Sequence, residues 1–293
     1  MVYTLLNALA WCTGYSFACL VSGRFLTRWI DSTVENSKTV SVSAGLATFF
    51  LLGQGALAAL WIFLALLGWL SPQIVAAMLL AIIALGFLKV PRWAVAAAER
   101  IKPMAVAFWE ESFGFKILGI LTLILVLLEG LSSLLPPTSG SDAEAFYLAL
   151  PKLISASHRL LPMPGGFEYF SQIGLQGEMH FSALMSVSNY QAAKLFVWPT
   201  SLAIGLMLMG LGSLVGLGRH GNYISVAILF TSTVFTNIIW DGKVDLFATA
   251  MGLCAYYWAL QLSTVKGALP LAGLSRVWPW LLSFRSFLHC CRG

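Results

Sequence analysis

Five acidic residues of this chain occur where a carboxylate has chemical use. They adjoin long apolar runs between residues 117 and 262, and they are Asp142, Glu144, Glu178, Asp241 and Asp245. A carboxylate at a membrane surface serves as a general base, as a metal ligand or as the partner of a basic side chain. These residues are therefore the first candidates for a functional site.

Several of these carboxylates also have a structural interpretation. Ser141 and Glu144 have the spacing of a capping box, in which two side chains satisfy free amides at the start of a helix. Asp142 and Glu144 would lie about 200° apart around a helix, so both would not easily face one substrate. Asp241 and Asp245 fit solvated turn residues, with Asp245 capping the next helix. The sequence alone leaves both interpretations open.

Other polar residues form a second group of candidates. His158 and Arg159 are adjacent, and the arginine fork matches phosphate oxygens, although contact with solvent or lipid headgroups explains the pair as well. Glu129 lies inside an apolar run, where a carboxylate is costly, so it is either functional or extended toward the membrane interface. His180 and His220 are isolated histidines without the spacing of metal ligands, and the five cysteines show no metal or redox spacing.

The composition of the chain identifies the environment in which these residues act. Of 293 residues, 59% are hydrophobic and 10% are charged, and the mean hydropathy is +0.84. A soluble domain carries about 25% charged residues, so this chain has too few to cover a surface exposed to water. The net charge of +5 is spread over short connections between apolar runs, which argues against a nucleic-acid partner. These numbers predict an all-α integral membrane protein.

Seven apolar runs are candidates to cross about 30 Å of hydrocarbon as helices. They cover residues 3–20, 44–70, 74–90, 117–135, 195–217, 223–240 and 246–262. Basic connections alternate with neutral or acidic ones along the whole chain. Because cytoplasmic loops are enriched in lysine and arginine, we expect the N-terminus and the long loop 136–191 on the outer face of the membrane.

The chain divides into three parts. Residues 1–114 contain the first spans and an amphipathic cytoplasmic elbow, residues 115–266 contain a membrane core with the outer loop, and residues 267–293 form an interfacial or incomplete segment. In the outer loop, apolar and polar residues between 145 and 159 predict an interfacial helix, and a second helix is predicted from 176 to about 187.

Short motifs in the second part resemble those of bacterial GT-C-type membrane glycosyltransferases. Residues 141–153, SDAEAFYLALPKL, resemble the start of the first large outer loop of that family, which has an aspartate, an aromatic-His-Leu stretch and Leu-Pro-Lys. Residues 159–164 resemble the arginine and proline stretch that follows. A Glu-Met pair at Glu178 and a Val-Asp-Leu triplet at Asp245 resemble later motifs. The resemblance covers about residues 135–259.

The resemblance implies a GT-C-like enzyme that transfers a sugar from a polyprenyl-phosphate donor to an acceptor at the outer face of the bacterial inner membrane. It implies that Asp142, with Glu144 beside it, is the general base or a metal-assisted activator, so a divalent metal ion is the one cofactor it suggests. The implied substrate-binding residues are Lys152, His158, Arg159, Glu178 and Asp245.

Some features of the chain depart from the family pattern. Tyr147 stands in the place of a histidine, and His158 stands in the place of a glycine. The sequence stops at Gly293, where such enzymes continue through further spans, so the C-terminal part of the family is expected to be missing. A non-catalytic, degenerate or truncated subunit that packs against other integral membrane subunits is therefore the alternative function. Membrane lipids are expected partners in either case.

Overall fold

The computed structural model describes residues 2–31, 40–88, 108–136, 147–163 and 175–281, together with residues 102, 106 and 165. Regular structure within these ranges is helical, as the composition predicts. The first helices are α1 (Val2–Ile30), α2 (Val42–Leu67), α3 (Pro72–Phe87) and α4 (Phe113–Ser132). They are followed by α5 (Ala149–Ser157), α6 (Gln176–Val187), α7 (Tyr190–Leu195) and α8 (Val197–Leu214). The last are α9 (Arg219–Thr231), α10 (Thr233–Asp241), α11 (Asp245–Leu260) and α12 (Ala268–Leu281).

Four helical segments of the described chain are long and apolar enough to cross a membrane. They are α1, α2, α4 and the continuous pair α7–α8, and the bent pair α9–α10 would be a fifth. Helices α3 and α11 have 16 residues each, which gives about 24 Å of helix and falls short of the hydrocarbon thickness. Helices able to span a membrane are present as predicted, whereas the number seven is not confirmed.

Local sequence signals set the ends of several helices. Ser41 and Ser71 accept hydrogen bonds from amides in the first turns of α2 and α3, and so begin these helices. Pro72 occupies the first position of α3, where its missing N–H has no cost. Helix α2 ends at Gly68, whose φ of 74° lies in the left-handed region that glycine adopts freely.

Helices α1 and α2 cross with their backbones in contact. At Gly23 and at Gly53 a Cβ atom would overlap backbone atoms of the other helix, so this approach requires glycine at both positions. Small residues at a helix crossing are typical of membrane proteins, in which close backbone packing replaces the hydrophobic effect as the cause of association. The crossing therefore fixes the position of α1 relative to α2.

Hydrogen bonds between buried side chains join α2 to α8 and α11. Gln54 Nε2 donates to Thr200 Oγ1 at 2.6 Å, and Trp258 Nε1 donates to Thr48 Oγ1 at 3.0 Å. All four residues are buried. Because water does not compete at these positions, each bond fixes the register of one helix against the next.

The sixth predicted span, residues 223–240, is broken into α9 and α10. The two helices meet at Ser232 with a bend of 59°. Thr231 Oγ1 donates a hydrogen bond to the carbonyl of Ala227 in the preceding turn. Hydroxyl side chains that bond back in this way tend to bend helices, so the Thr-Ser-Thr run at 231–233 gives a physical reason for the break.

One end of the molecule, which we name the loop end, contains the long loop. The start of α1, the turn between α2 and α3, the end of α4, helices α5 and α6, and the turn between α10 and α11 lie there. Asn189 Nδ2 donates to the carbonyl of Thr4 at 3.2 Å, and the Leu70 amide donates to the carbonyl of His158 at 3.3 Å. The loop is thus tied directly to the first three helices.

The opposite end, which we name the basic end, joins the end of α1 to the starts of α4, α9 and α12. The amide of Gly267 donates to Asp31 Oδ2 at 3.0 Å. Glu111 accepts hydrogen bonds from His220 at 2.7 Å and from Arg219 at 2.8 Å, and these bonds lower the pKa of its carboxyl group. The two ends therefore differ in their polar groups as well as in their helices.

Candidate functional site

Helix α6 brings three polar side chains into the interior of the loop end. Its bounds, Gln176–Val187, agree with the second helix predicted in the outer loop, while its position in the membrane interface stays a prediction. The residues from Gln176 to Leu184 are buried because α6 packs against α2, α3, α5, α7 and α11. A helix buried on all sides is ordinarily apolar. The polar side chains of Gln176, Glu178 and His180 therefore mark α6 as unusual.

Glu178 lies against the turn that begins α11. At Gly177 a Cβ atom would overlap the side chain of Val244, so the first turn of α6 rests directly on this turn. Burial raises the pKa of Glu178 to about 8, and the charge of Asp245 adds to the rise. Glu178 Oε2 has no hydrogen-bond partner among the described residues. At neutral pH Glu178 therefore keeps its proton beside Asp245.

Tyr147 brings the segment before α5 to the same place. Its hydroxyl group donates a hydrogen bond to Asp245 Oδ2 at 3.3 Å. Asp245 is exposed and is the first residue of α11, and the cap position belongs to Val244, so the interpretation of Asp245 as the helix cap is wrong. Tyr147 and Glu178 come from two distant segments, and both lie near Asp245 at the loop end.

His180 is held by a chain of hydrogen bonds from α1 and α2. Trp61 Nε1 donates to Tyr15 Oη at 2.6 Å, and Tyr15 Oη is hydrogen-bonded to His180 Nδ1 at 2.6 Å. Burial lowers the pKa of His180 to about 3, so the ring is neutral. The rings of Tyr15, Phe196 and Phe247 surround it, with centroids 5.2 to 5.6 Å away. No role for His180 is apparent from the sequence.

Lys194 fills the space between α4 and the turn from α10 to α11. It is buried, and its ammonium group donates to the carbonyl of Leu135 at 2.7 Å. Its aliphatic part lies on Gly242, where a Cβ atom would overlap it. The neighbouring Asp241 has a side chain only 13% exposed, 4.0 Å from Lys243, so Asp241 is not a solvated turn residue. Lys194 is a further residue that sequence reasoning did not select.

Glu129 is the acidic residue of the candidate span α4. It is 5% exposed and lies on the buried side of the helix with Val126 and Gly130, which contacts Trp198. Neither carboxylate oxygen has a hydrogen-bond partner in the described part of the chain. This position favours a buried polar group over a side chain extended toward the interface.

The basic candidates lie on α5 and just after it. Lys152 and Arg159 are exposed, and the Arg159 side chain covers Gly68 in the turn after α2. His158 ends α5 with a φ of 60°, in the left-handed region. Because α5 rises about 13 Å over its nine residues, Arg159 lies at the opposite end of this helix from Tyr147. The basic residues therefore lie along α5, and Arg159 is the one farther from Tyr147.

The two predicted catalytic residues lie outside the described residues. These are Asp142 and Glu144, together with the capping box that begins at Ser141. Within the described ranges, no group of three or more histidine, cysteine, aspartate or glutamate side chains is placed to hold a metal ion. The metal-assisted role of Asp142 stays a prediction from the resemblance.

The described part of the site thus consists of a buried, protonated Glu178, an exposed Asp245 bonded to Tyr147, and a neutral His180 within an aromatic cluster. Hydrogen-bonding groups are concentrated there, and an exposed lysine and arginine lie along the adjoining helix. This arrangement suits a polar substrate with an anionic group, bound at one end of a membrane helix bundle. No family model, curated protein or solved structure matches the chain.

Proposed function

We propose that this chain is a GT-C-like membrane protein that transfers a sugar from a polyprenyl-phosphate donor to an acceptor hydroxyl group. One observation carries the proposal, namely the contact of Tyr147 with Asp245 beside Glu178 at the loop end. These residues belong to three separate segments for which the sequence resembles that family. Segments that resemble a family by chance would have no reason to pack together, so their meeting supports a common site.

The proposed reaction needs a base and an anion-binding group. The acceptor oxygen attacks the anomeric carbon, a carboxylate takes the acceptor proton, and the bond from that carbon to the phosphate oxygen breaks. The polyprenyl phosphate leaves with the bonding electrons. We assign the base to Asp142, with Glu144 in support. Lys152 and Arg159 are exposed and positively charged, and they neutralise the phosphate in the site and as it leaves.

We assign Glu178 and Asp245 to the part of the proposed site that contacts polar groups of the acceptor substrate. Because burial keeps the proton on Glu178, the pair offers one O–H donor and one carboxylate acceptor. A pair with a single negative charge also repels a phosphate less than two ionised carboxylates would. His158 ends α5 and directly precedes Arg159. Its left-handed backbone conformation sets the direction in which Arg159 leaves the helix.

The basic residues of the two ends support an orientation with the loop end outside, in the bacterial inner membrane that the resemblance implies. Basic residues of the described chain at the basic end are Arg24, Arg28, Lys116, Arg219 and Lys266. The sequence adds Lys38, Lys89, Arg92 and Arg100 between α1 and α2 and between α3 and α4, whereas the loop end has Lys152, Arg159, Lys194 and Lys243. Cytoplasmic segments of membrane proteins are enriched in lysine and arginine, so this difference in basic residues supports an outer loop end and an outer N-terminus.

The test is a sugar-transfer assay with the purified full chain in detergent and a polyprenyl-phosphate-linked sugar donor. We expect Asp142→Asn to lower the rate by about 100-fold or more, since a general base contributes on that scale. Glu110→Gln removes an exposed carboxyl group near the basic end and is the matched control, with an unchanged rate expected. Equal rates for wild type and Asp142→Asn would overturn the proposed base.

A non-catalytic subunit is the competing function, and the surface of α4 is compatible with it. This helix exposes a row of large apolar side chains, among them Ile117, Leu121, Leu128 and Leu131. Such a face suits lipid or another membrane subunit. A stoichiometric protein partner retained in mild detergent, together with absence of sugar transfer, would establish the subunit; an active chain without a partner would exclude it.

A further inference from the structure

Gln176 and His180 form a polar face of α6, and three side-chain atoms of this face have no hydrogen-bond partner among the described residues. The two residues are four positions apart, so they lie on the same side of the helix. They are 4% and 0% exposed. Gln176 Oε1, Gln176 Nε2 and His180 Nε2 make no hydrogen bond to the described residues. Glu178, two positions from each, projects from another side of α6.

The bonds from α1 and α2 determine which atom of His180 carries the proton. An indole N–H only donates, so Tyr15 Oη accepts from Trp61 and its own proton points to His180 Nδ1. A neutral histidine that accepts at Nδ1 carries its proton at Nε2. The unpartnered atom is therefore a hydrogen-bond donor of fixed direction. It can bind an oxygen acceptor, and in this state it cannot bind a metal ion.

The chemistry of this face selects a neutral hydroxyl group as its partner. His180 offers a donor, and the Gln176 amide offers a donor and an acceptor, but neither residue brings a charge for a phosphate. The rings of Tyr15, Phe196 and Phe247 around His180 are apolar. Sugars combine hydroxyl groups that donate and accept with apolar C–H faces that pack on aromatic rings, and they match this combination.

We propose that the Gln176–His180 face of α6 recognises hydroxyl groups of the sugar that the protein binds. His180 Nε2–H donates to one hydroxyl oxygen, and the Gln176 amide binds a neighbouring hydroxyl group. This inference rests on the proposed function, and it adds sugar selectivity to a site whose phosphate is held elsewhere, by Lys152 and Arg159. Buried polar groups without partners are costly, which is why a ligand at this face is expected.

The experiment compares the binding of lipids with and without a sugar. The full chain in lipid nanodiscs is titrated with undecaprenyl phosphate and with undecaprenyl phosphate linked to glucose, mannose or arabinose, and tryptophan fluorescence reports Kd. We expect at least one sugar-linked lipid to bind about tenfold more tightly than the bare lipid phosphate, on the scale of one or two hydrogen bonds. We expect Gln176→Met and His180→Phe to remove this preference without changing Kd for undecaprenyl phosphate.

Gln176→Met is the decisive variant, because it keeps the shape of the side chain and lies at the first residue of α6. Gln261→Met changes another buried glutamine, at the basic end, and should keep the sugar preference. Equal binding of all four lipids to the wild type would overturn the inference and leave phosphate binding intact. A preference that survives in Gln176→Met would overturn it as well, since a bound water would then explain the free polar atoms. Failure of every lipid to bind would reject the proposed function itself.

Discussion

Glu178 is a group whose effect on stability changes with pH in a defined direction. Burial raises its pKa from the ordinary value of 4.5 to about 8. Below the lower value the carboxyl group is protonated in the folded and the unfolded chain alike. Between the two values the unfolded chain releases the proton and the folded chain retains it. The free energy of unfolding therefore falls by up to about 1.4 kcal/mol for each pH unit in this window.

Replacement of Glu178 by glutamine should remove this dependence. We expect the Glu178→Gln variant to gain stability over the wild type as the pH rises from about 4.5 to about 8, with a constant difference above that window. The measurement is the melting temperature of both proteins in the same detergent across this pH range. Glu110→Gln, which changes an exposed carboxyl group, is the control. Parallel curves for wild type and Glu178→Gln would contradict the burial of the charge.

His158 shows what a departure from a sequence pattern can mean physically. The family pattern has a glycine at this position, and the structure has a φ of 60° there, which glycine adopts without steric cost. A histidine in this conformation costs about 1 to 2 kcal/mol. The histidine is therefore a local backbone strain at the end of α5.

At the scale of single residues, the sequence supplies candidates for the site, but it does not show which of them lie near one another. Motif resemblance selects Glu178 and Asp245, and the structure brings them close together. The sequence does not reveal the role of His180, because its partners Tyr15 and Trp61 come from helices far away in the chain. Lys194 is missed for the same reason, since its hydrogen bond reaches across 59 positions to Leu135.

The crossing of α1 and α2 is the contact between elements that depends most directly on residue size. Gly23 and Gly53 face each other so closely that a methyl group on either would overlap the opposite backbone. A backbone cannot move aside as a flexible side chain can. An added methyl group must therefore push the two helices apart and weaken the packing around them.

Two glycine-to-alanine variants separate this effect from helix propensity. We expect Gly53→Ala to lower the free energy of unfolding by about 1 to 3 kcal/mol or more. Gly252→Ala adds the same methyl group within α11, where open space surrounds it, and should raise stability by about 0.5 to 1 kcal/mol. Thermal or denaturant unfolding in detergent measures both. A Gly53→Ala protein as stable as the wild type would show that the helices do not touch at this crossing.

At the scale of elements, hydropathy finds apolar runs but not where a helix stops. The runs at 44–70 and 117–135 correspond to α2 and α4. The run at 223–240 looks equally continuous in composition, yet it bends by 59° at Ser232 because of local hydroxyl groups. The runs at 74–90 and 246–262 contain helices of 16 residues. The count of spans thus depends on backbone geometry that average composition does not contain.

The sequence of the whole molecule distributes its basic residues unevenly among the connections between helices. Lys38, Lys89, Arg92, Arg100 and Lys102 lie between α1 and α2 and between α3 and α4 in the sequence, together with Glu35 and Glu99. The long loop 136–191 has Lys152 and Arg159 against Asp142, Glu144, Glu168 and Glu178. An inserted membrane protein retains such an asymmetry, because basic segments are moved across the membrane with difficulty. The two ends should therefore face different compartments.

Cysteine labelling of a matched pair of lysine positions tests this orientation. Lys152 at the loop end and Lys266 at the basic end are both exposed, whereas the native Cys12, Cys19 and Cys254 are buried. With Cys290 and Cys291 changed to serine, we expect an impermeant maleimide to label Lys152→Cys in intact cells.

Lys266→Cys should react only after the membrane is opened, because the reagent reaches the cytoplasmic side only then. The reverse pattern would invert the topology and move the proposed site to the cytoplasm, away from an outer acceptor. Labelling of both variants in intact cells would place both ends on one side, and it would contradict a bundle whose α1 and α2 run between two membrane surfaces. Labelling is thus a test of the architecture that does not depend on any assumption about the reaction.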